Sequence, residues 1–178
     1  MLAPTVARTN VILMLHANAP LRAGTIATLA GLPRAVAVSA LATLERRGVA
    51  RRRHRLGHDE YEPDRDSPYY PAAHLAALVD LPLDDAFAGE RIDAVFVYGS
   101  CATPGAARPD SDLDLLIIGR VEEPRVLNAR LQEVGARIGR AIDPILLSPE
   151  QARHGLETGD PHLSTALAGV RIRGRWPA

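Results

Sequence analysis

The stretch that most constrains how this chain can fold is residues 95–118, VFVYGSCATPGAARPDSDLDLLII. An apolar run stops at Gly99-Ser100, a loop of small residues follows, and Asp112 and Asp114 then alternate with Leu113 and Leu115 at the head of a second apolar run. Residues two apart on a strand project from one face, so the pattern predicts two neighbouring strands. The first covers 94–98, and the second carries Asp112 and Asp114 on one side with the leucines packed on the other. Carboxylates held that close repel unless a cation lies between them, and Mg²⁺ prefers one or two carboxylates completed by substrate phosphate oxygens. Gly99 permits a tight turn after the first strand. Ser100, as a cap, would open a short helix whose free amides face an anion. One element is thus expected to hold metal and the other phosphate.

Further along, Leu127, Leu131, Val134 and Ile138 repeat at helical spacing and predict a helix over 124–140, followed by a strand over 141–147 that carries Asp143. A strand, a helix and a strand returning to the same sheet form an α/β layer, which brings Asp143 toward the first pair. Pro144 removes a backbone donor and confines that strand to a sheet edge or a bulge. Ser148-Pro149-Glu150-Gln151 has a cap, a first-turn proline and a glutamine at the third helical position, and Asp160-Pro161 opens another helix. A short final strand is expected at 170–172.

On Gly99-Ser100 and Asp112-Leu113-Asp114 the chain resembles the minimal nucleotidyltransferases of the polymerase-beta-like superfamily, in which a strand, Gly-Ser, a loop and Asp-x-Asp on the next strand follow in order. The loop departs in detail: Thr103 stands where relatives commonly carry arginine, and Arg108 is the candidate substitute. The resemblance implies transfer of a nucleoside monophosphate from an NTP with two Mg²⁺ ions. Asp112, Asp114 and Asp143 are then the candidate catalytic and metal-binding residues, with Asp143 holding the second ion or accepting the acceptor's proton. Gly99, Ser100, Arg108 and Ser111 are the candidate phosphate-binding residues.

The first part of the chain reads differently. Apolar spacing predicts helices over 5–18, 21–30 and 34–47, the last with Val38, Leu41 and Leu44 inward, and Gly31-Leu32-Pro33 makes the turn between the second and third. After Gly48 the period changes, and residues 49–63 read as a hairpin, with strands over 49–55 and 60–63 and a turn over Leu56-Gly57-His58-Asp59. Between Arg34 and Arg55 the chain has seven arginines against one acid, Glu45. Three helices and a basic hairpin resemble the winged helix-turn-helix of ArsR-like and MarR-like regulators. That resemblance implies duplex DNA as a partner, with Arg34 and Ser39 on the recognition helix and Arg51, Arg52, Arg53 and Arg55 on the wing.

The expected architecture is therefore α+β. A winged helix-turn-helix occupies 1–66, a connecting helical segment 67–90 (helices at 71–79 and 83–88), and an α/β nucleotidyltransferase domain with a small mixed sheet 91–178. The connecting helix suggests a homodimer. A formal net charge of +0 and 47% hydrophobic residues suit a globular core, and no apolar run approaches membrane-spanning length. The N-terminus has no signal-peptide pattern, which makes a cytoplasmic location the expectation. The single cysteine, Cys101, excludes an internal disulfide and a zinc cluster. Three functions stay open: a transferase acting on a protein side chain, an RNA end or a small molecule; a DNA-binding regulator that only senses nucleotide; and an antitoxin-type transferase acting on a partner toxin.

Overall fold

The computed structural model describes residues 2–176, a mixed α+β chain with two compact units. The first unit takes in residues 1–81 together with 104–110 and 137–139; the second takes in 82–103, 111–136 and 140–178.

In the first unit, α1 (Pro4–Leu15), α2 (Ala23–Ala30), α3 (Arg34–Arg46) and α4 (Tyr70–Val79) pack with a three-stranded antiparallel sheet of order β1-β3-β2, made by Leu21–Arg22, His58–Pro63 and Ala50–Arg55. Helix α1 is buried along nearly its whole length from Thr9 to Leu15. Its Asn10 Nδ2 donates to Ala73 O at 2.8 Å and so ties α4 to it. Helix α2 ends at Gly31, whose φ of +63° is the left-handed cap that a side chain would oppose.

Three expectations need correction in this unit. The hairpin turn is Leu56-Gly57 alone, because His58 and Asp59 already pair with Arg55 and His54. Leu21 and Arg22 are not helical but pair with Tyr61 and Glu60, so the second helix starts only at Ala23. Val38 does not face inward: it is 42% exposed, because the buried stripe of α3 runs through Ala37, Ala40, Leu41 and Leu44. That stripe follows i, i+3, i+4, i+7, and Val38 lies beside it.

The second unit is built on a four-stranded sheet of order β6-β5-β4-β7, formed by Ile142–Leu147, Leu113–Arg120, Arg91–Tyr98 and Val170–Gly174. β4 runs antiparallel to β5 and β7, while β5 and β6 are parallel, as a crossover through helix α6 (Pro124–Ile138) requires. The sheet is mixed, and Pro144 lies on its edge strand, as its missing N–H demands. On one face Ala94, Phe96, Leu116 and Ile118 form a core with Ala152, Leu163, Ala166 and Trp176. Ala152 comes from α7 (Pro149–Thr158) and Leu163 and Ala166 from α8 (Pro161–Leu167), the two helices after β6. Ser148 and Gln151 close the reciprocal capping box that their spacing predicts. A four-residue helix, α5 (Gly99–Ala102), follows β4 directly.

The helix expected at 83–88 does not form. Leu83, Ala86 and Phe87 are buried in successive turns that Pro82 opens and Gly89, at φ +85°, closes, so burial of these side chains is met without a continuous helix. Among the described residues no single helix is long and apolar enough to cross a membrane.

Leu131 is fully buried on α6, so Leu131→Ala removes packed methyl groups with little room to relax. Urea unfolding followed by circular dichroism should show a loss of about 2–5 kcal/mol. A loss below about 1 kcal/mol would mean that α6 is not part of the core.

Candidate active site

The acidic residues meet through strand register. Within β5, Asp114 is the Cα partner of Tyr98 on antiparallel β4 and of Asp143 on parallel β6, so the three side chains form one row across three strands. Directly paired residues place their Cβ atoms about 5 Å apart, which sets two carboxylates side by side. The row continues the face that carries Phe96, Leu116 and Ala94, Ile118 deeper in the sheet, so Asp114 stands at the polar end of a dry face. Burial, then Asp143, then Asp112 push the Asp114 carboxyl above the usual carboxylate range. Tyr98 is raised too, by burial first and then by the charges of Asp114 and Asp143.

Asp112 differs from expectation in one respect. It is not on the strand, which begins at Leu113, but just ahead of it and exposed. Its backbone is fixed instead: Cys101 Sγ donates to Asp112 O at 3.2 Å, and the N–H of Leu113 donates to Ala141 O at 2.8 Å. Burial pushes the Cys101 thiol up, which keeps it a neutral donor.

Gly99 has a second role besides its turn. A Cβ at this position would lie 2.1 Å from Asp114 Oδ2, and φ is +66°. The carboxylate therefore rests on the bare backbone at the head of α5. Ser100 is not the cap that its position suggested: Tyr98 is the N-cap residue, it makes no side-chain capping bond, and Ser100 lies inside the short helix. The chain leaves β4 so abruptly that the helix starts at Gly99 itself.

Ser111 O accepts from Arg140 Nη1 at 2.7 Å. Arg140 is only 3% exposed, a buried guanidinium that fixes the residue before Asp112. Sequence reading placed Arg140 at the end of a helix and missed this role; its position after Gly139 and just ahead of the Asp143 strand was the available signal. Arg108 is exposed in the 104–110 loop, which packs with the first unit. There Asn18 Nδ2 donates to Gly105 O at 3.0 Å and to Ala107 O, and Arg65 donates to Asn18 Oδ1.

The donor set suits Mg²⁺. Among the described residues no three His, Cys, Asp or Glu side chains close into a ready-made metal cage. A hard cation that takes one or two carboxylates and draws its other ligands from water and substrate phosphates needs none. The side-by-side pair of Asp114 and Asp143 is the kind of arrangement that a cation relieves.

Residues 85–152 match the family model of the nucleotidyltransferase domain. The matched stretch contains α5, β5, α6 and β6, and with them every acidic residue just described. No curated protein and no solved structure matches the chain.

Three arginines of the first unit are paired with acids where they stand. Arg51 pairs with Asp64 at 2.6 Å and Asp66 at 2.9 Å, Arg52 with Glu45 and Asp59 at 3.4 Å each, and Arg53 with Glu62 at 2.5 Å. Apart from Glu45 on α3, these acids come from β3, which pairs antiparallel with the arginine strand, and from its exit; the linear count of arginines did not show them. Arg34 and Ser39 are exposed on α3, and Arg55 is exposed at the hairpin end.

The raised Asp114 carboxyl fixes the sign of a pH effect. Its folded-state pKa lies above the unfolded value, so ionisation opposes folding. This group's contribution to stability is greatest at acid pH and is lost as pH rises through the folded pKa. In chelator-containing buffer, Asp114→Asn should therefore raise the thermal midpoint at pH 7.5, and the gain should vanish near pH 4. Added Mg²⁺ should stabilise the wild type and not the variant; a gain independent of pH would contradict the repulsion argued here.

Gly99→Ala tests the contact at the head of α5. The left-handed backbone costs alanine about 1–2 kcal/mol. The Asp114 carboxylate must also rotate away, so the variant should fold, by circular dichroism, and lose the Mg²⁺ stabilisation as Asp114→Asn does. Retained Mg²⁺ stabilisation would mean that the carboxylate's placement against Gly99 is immaterial.

Proposed function

We propose that the chain transfers a nucleoside monophosphate from an Mg²⁺-bound NTP to a hydroxyl acceptor. The observation that carries this is the register that sets Asp114 beside Asp143, inside the stretch matching the nucleotidyltransferase domain. Asp112 and Asp114 hold the ion, and Ser100 and Ser111, with the backbone at Gly99, contact phosphate. When bound, Mg²⁺ supplies neutralisation of the phosphates and of the charge that develops on the leaving oxygen. The acceptor oxygen attacks the α-phosphorus, the bond from that phosphorus to the bridging oxygen breaks, and pyrophosphate leaves. Asp143, exposed at the strand's edge, takes the hydroxyl proton.

Incubation with α-labelled ATP, GTP, CTP and UTP plus Mg²⁺, with and without cell extract, should yield a labelled acceptor. Loss of a general base typically costs about 10²–10⁴ in rate, so Asp143→Asn should bind Mg²⁺-NTP normally and fall by that factor in single-turnover transfer. An unchanged rate would reduce the site to the Asp112 and Asp114 pair.

A DNA-binding role for the first unit is a second proposal, which also accommodates a regulator that senses nucleotide without turnover. The order α1-β1-α2-α3-β2-β3 supports a winged helix-turn-helix, and α2 and α3 cross at 107° over a short turn that begins at Gly31, within the range for that motif. Arg34, Val38 and Ser39 on the exposed face of α3 offer one cation, one apolar contact and one hydroxyl to a major groove. Because Arg51 is paired, Asp64→Asn with Asp66→Asn should strengthen binding to mixed-sequence duplex. It should also steepen the log-log salt slope by about 0.9, the contribution of one released phosphate contact. Absence of duplex binding by the full chain at low salt would remove the role altogether.

A further inference from the structure

At the start of α4 the N-cap residue Tyr69 and then Ala72, Ala73 and Ala76 fall at i, i+3, i+4 and i+7, one face of the helix. That face borders a cleft of about 510 Å³ within the first unit, walled on its other side by Leu44 near the end of α3 and by Val49 just beyond it. Helix α1 packs against both α3 and α4, and the alanines of α4 are too short to fill the remaining interval. The size is within the range of small-molecule sites. Neither the transfer chemistry nor the groove-facing residues of α3 draw on it.

Two polar features distinguish this cleft from a gap in packing. The first is Asn10 of α1, which is 0% exposed and forms part of the lining. Its Nδ2 donates to Ala73 O at 2.8 Å, which fixes the orientation of the carboxamide, and its Oδ1 is left buried with no partner. A buried acceptor without a donor is costly, and folded proteins leave few of them. The second feature is the rim, where Arg46 and Arg47 are both exposed. Arg46 Nη2 donates to Thr43 Oγ1 at 3.0 Å, and among the described residues no acid pairs with either guanidinium. The lining therefore has two arginines and no carboxylate.

We propose that this cleft binds a small amphipathic carboxylic acid whose far end carries an N–H or O–H donor. The donor enters first and bonds Asn10 Oδ1, the apolar body lies against Leu44, Val49 and the alanines of α4, and the carboxylate stays at the rim on Arg47 with Arg46 beside it. Asn10 thus selects the buried end of the ligand and Arg47 its charge. The site stands apart from nucleotide transfer and from duplex binding, so its failure would leave both of those readings intact.

The test titrates the full chain with indole-3-acetate and 8-hydroxyoctanoate, one flat and one extended acid that each carry a donor. The acids 1-methylindole-3-acetate and octanoate lack the donor, and indole-3-ethanol and octanol lack the carboxylate. By calorimetry at least one donor-bearing acid should bind, and its two controls should bind about tenfold more weakly or not at all. In the complex the side-chain amide resonance of Asn10 should shift. Arg47→Glu should weaken binding about tenfold or more, and Arg47→Lys, which keeps the charge, should recover most of it. Ala72→Trp should fill the cleft and abolish binding with an unchanged circular dichroism spectrum. An Asn10 variant would also lose the bond to Ala73, so the donor-lacking acids put that question to the ligand and leave the fold alone. Binding of neither acid would overturn the proposal. So would equal binding of the donor-lacking acids, which would mean that water already serves Asn10 Oδ1. Equal binding of the neutral controls, or indifference to Arg47→Glu or to Ala72→Trp, would place the ligand elsewhere and overturn it as well.

Discussion

One constraint organises the second unit: the parallel register of β5 with β6 sets Asp114 directly beside Asp143. Like charges across adjacent strands destabilise a sheet, and burial of Asp114 sharpens the cost. The arrangement persists because the rest of that face, from Phe96 and Leu116 to Trp176, is a dry core that fixes the register. A one-residue slip would turn Leu116 and Ile118 out of that core. Apolar packing thus holds two carboxylates on neighbouring strands in register, against their mutual repulsion.

The surrounding residues serve the same end. Gly99 leaves room for the Asp114 carboxylate, Cys101 holds the backbone of Asp112, and buried Arg140 holds Ser111. Cys101 and Arg140 act on the segment just before β5, where the chain passes from the loop into the strand, and Gly99 acts on Asp114 at the head of that strand. The acidic end of the sheet is therefore built by strand pairing and positioned by neutral or cationic groups that bond backbone carbonyls rather than the carboxylates.

Much of this was legible in the sequence because it rests on local periodicity. The strands on either side of Gly-Ser and its loop, the stripe of Leu127, Leu131 and Val134, and the capping box at Ser148 each follow from short-range spacing and form, although Asp112 falls just ahead of its strand and Ser100 inside the short helix. What stayed hidden depends on partners distant in the chain. Leu21 and Arg22 read as helix because their strand partners, Tyr61 and Glu60, lie some forty residues on. The arginines at 51–53 read as a basic patch because the acids of β3 meet them only once the hairpin closes. Val38 was misplaced for a subtler reason. Alanines at 37 and 40 define the buried stripe of α3, and small side chains weigh little in a count of apolar residues.

The most direct test of the account is calorimetric titration of Mg²⁺-NTP into the wild type and into a variant carrying Asp112→Asn and Asp114→Asn. The account predicts binding that requires Mg²⁺ in the wild type and is lost in the variant, whose fold, by circular dichroism, is intact. Equal affinity in the two proteins would contradict it.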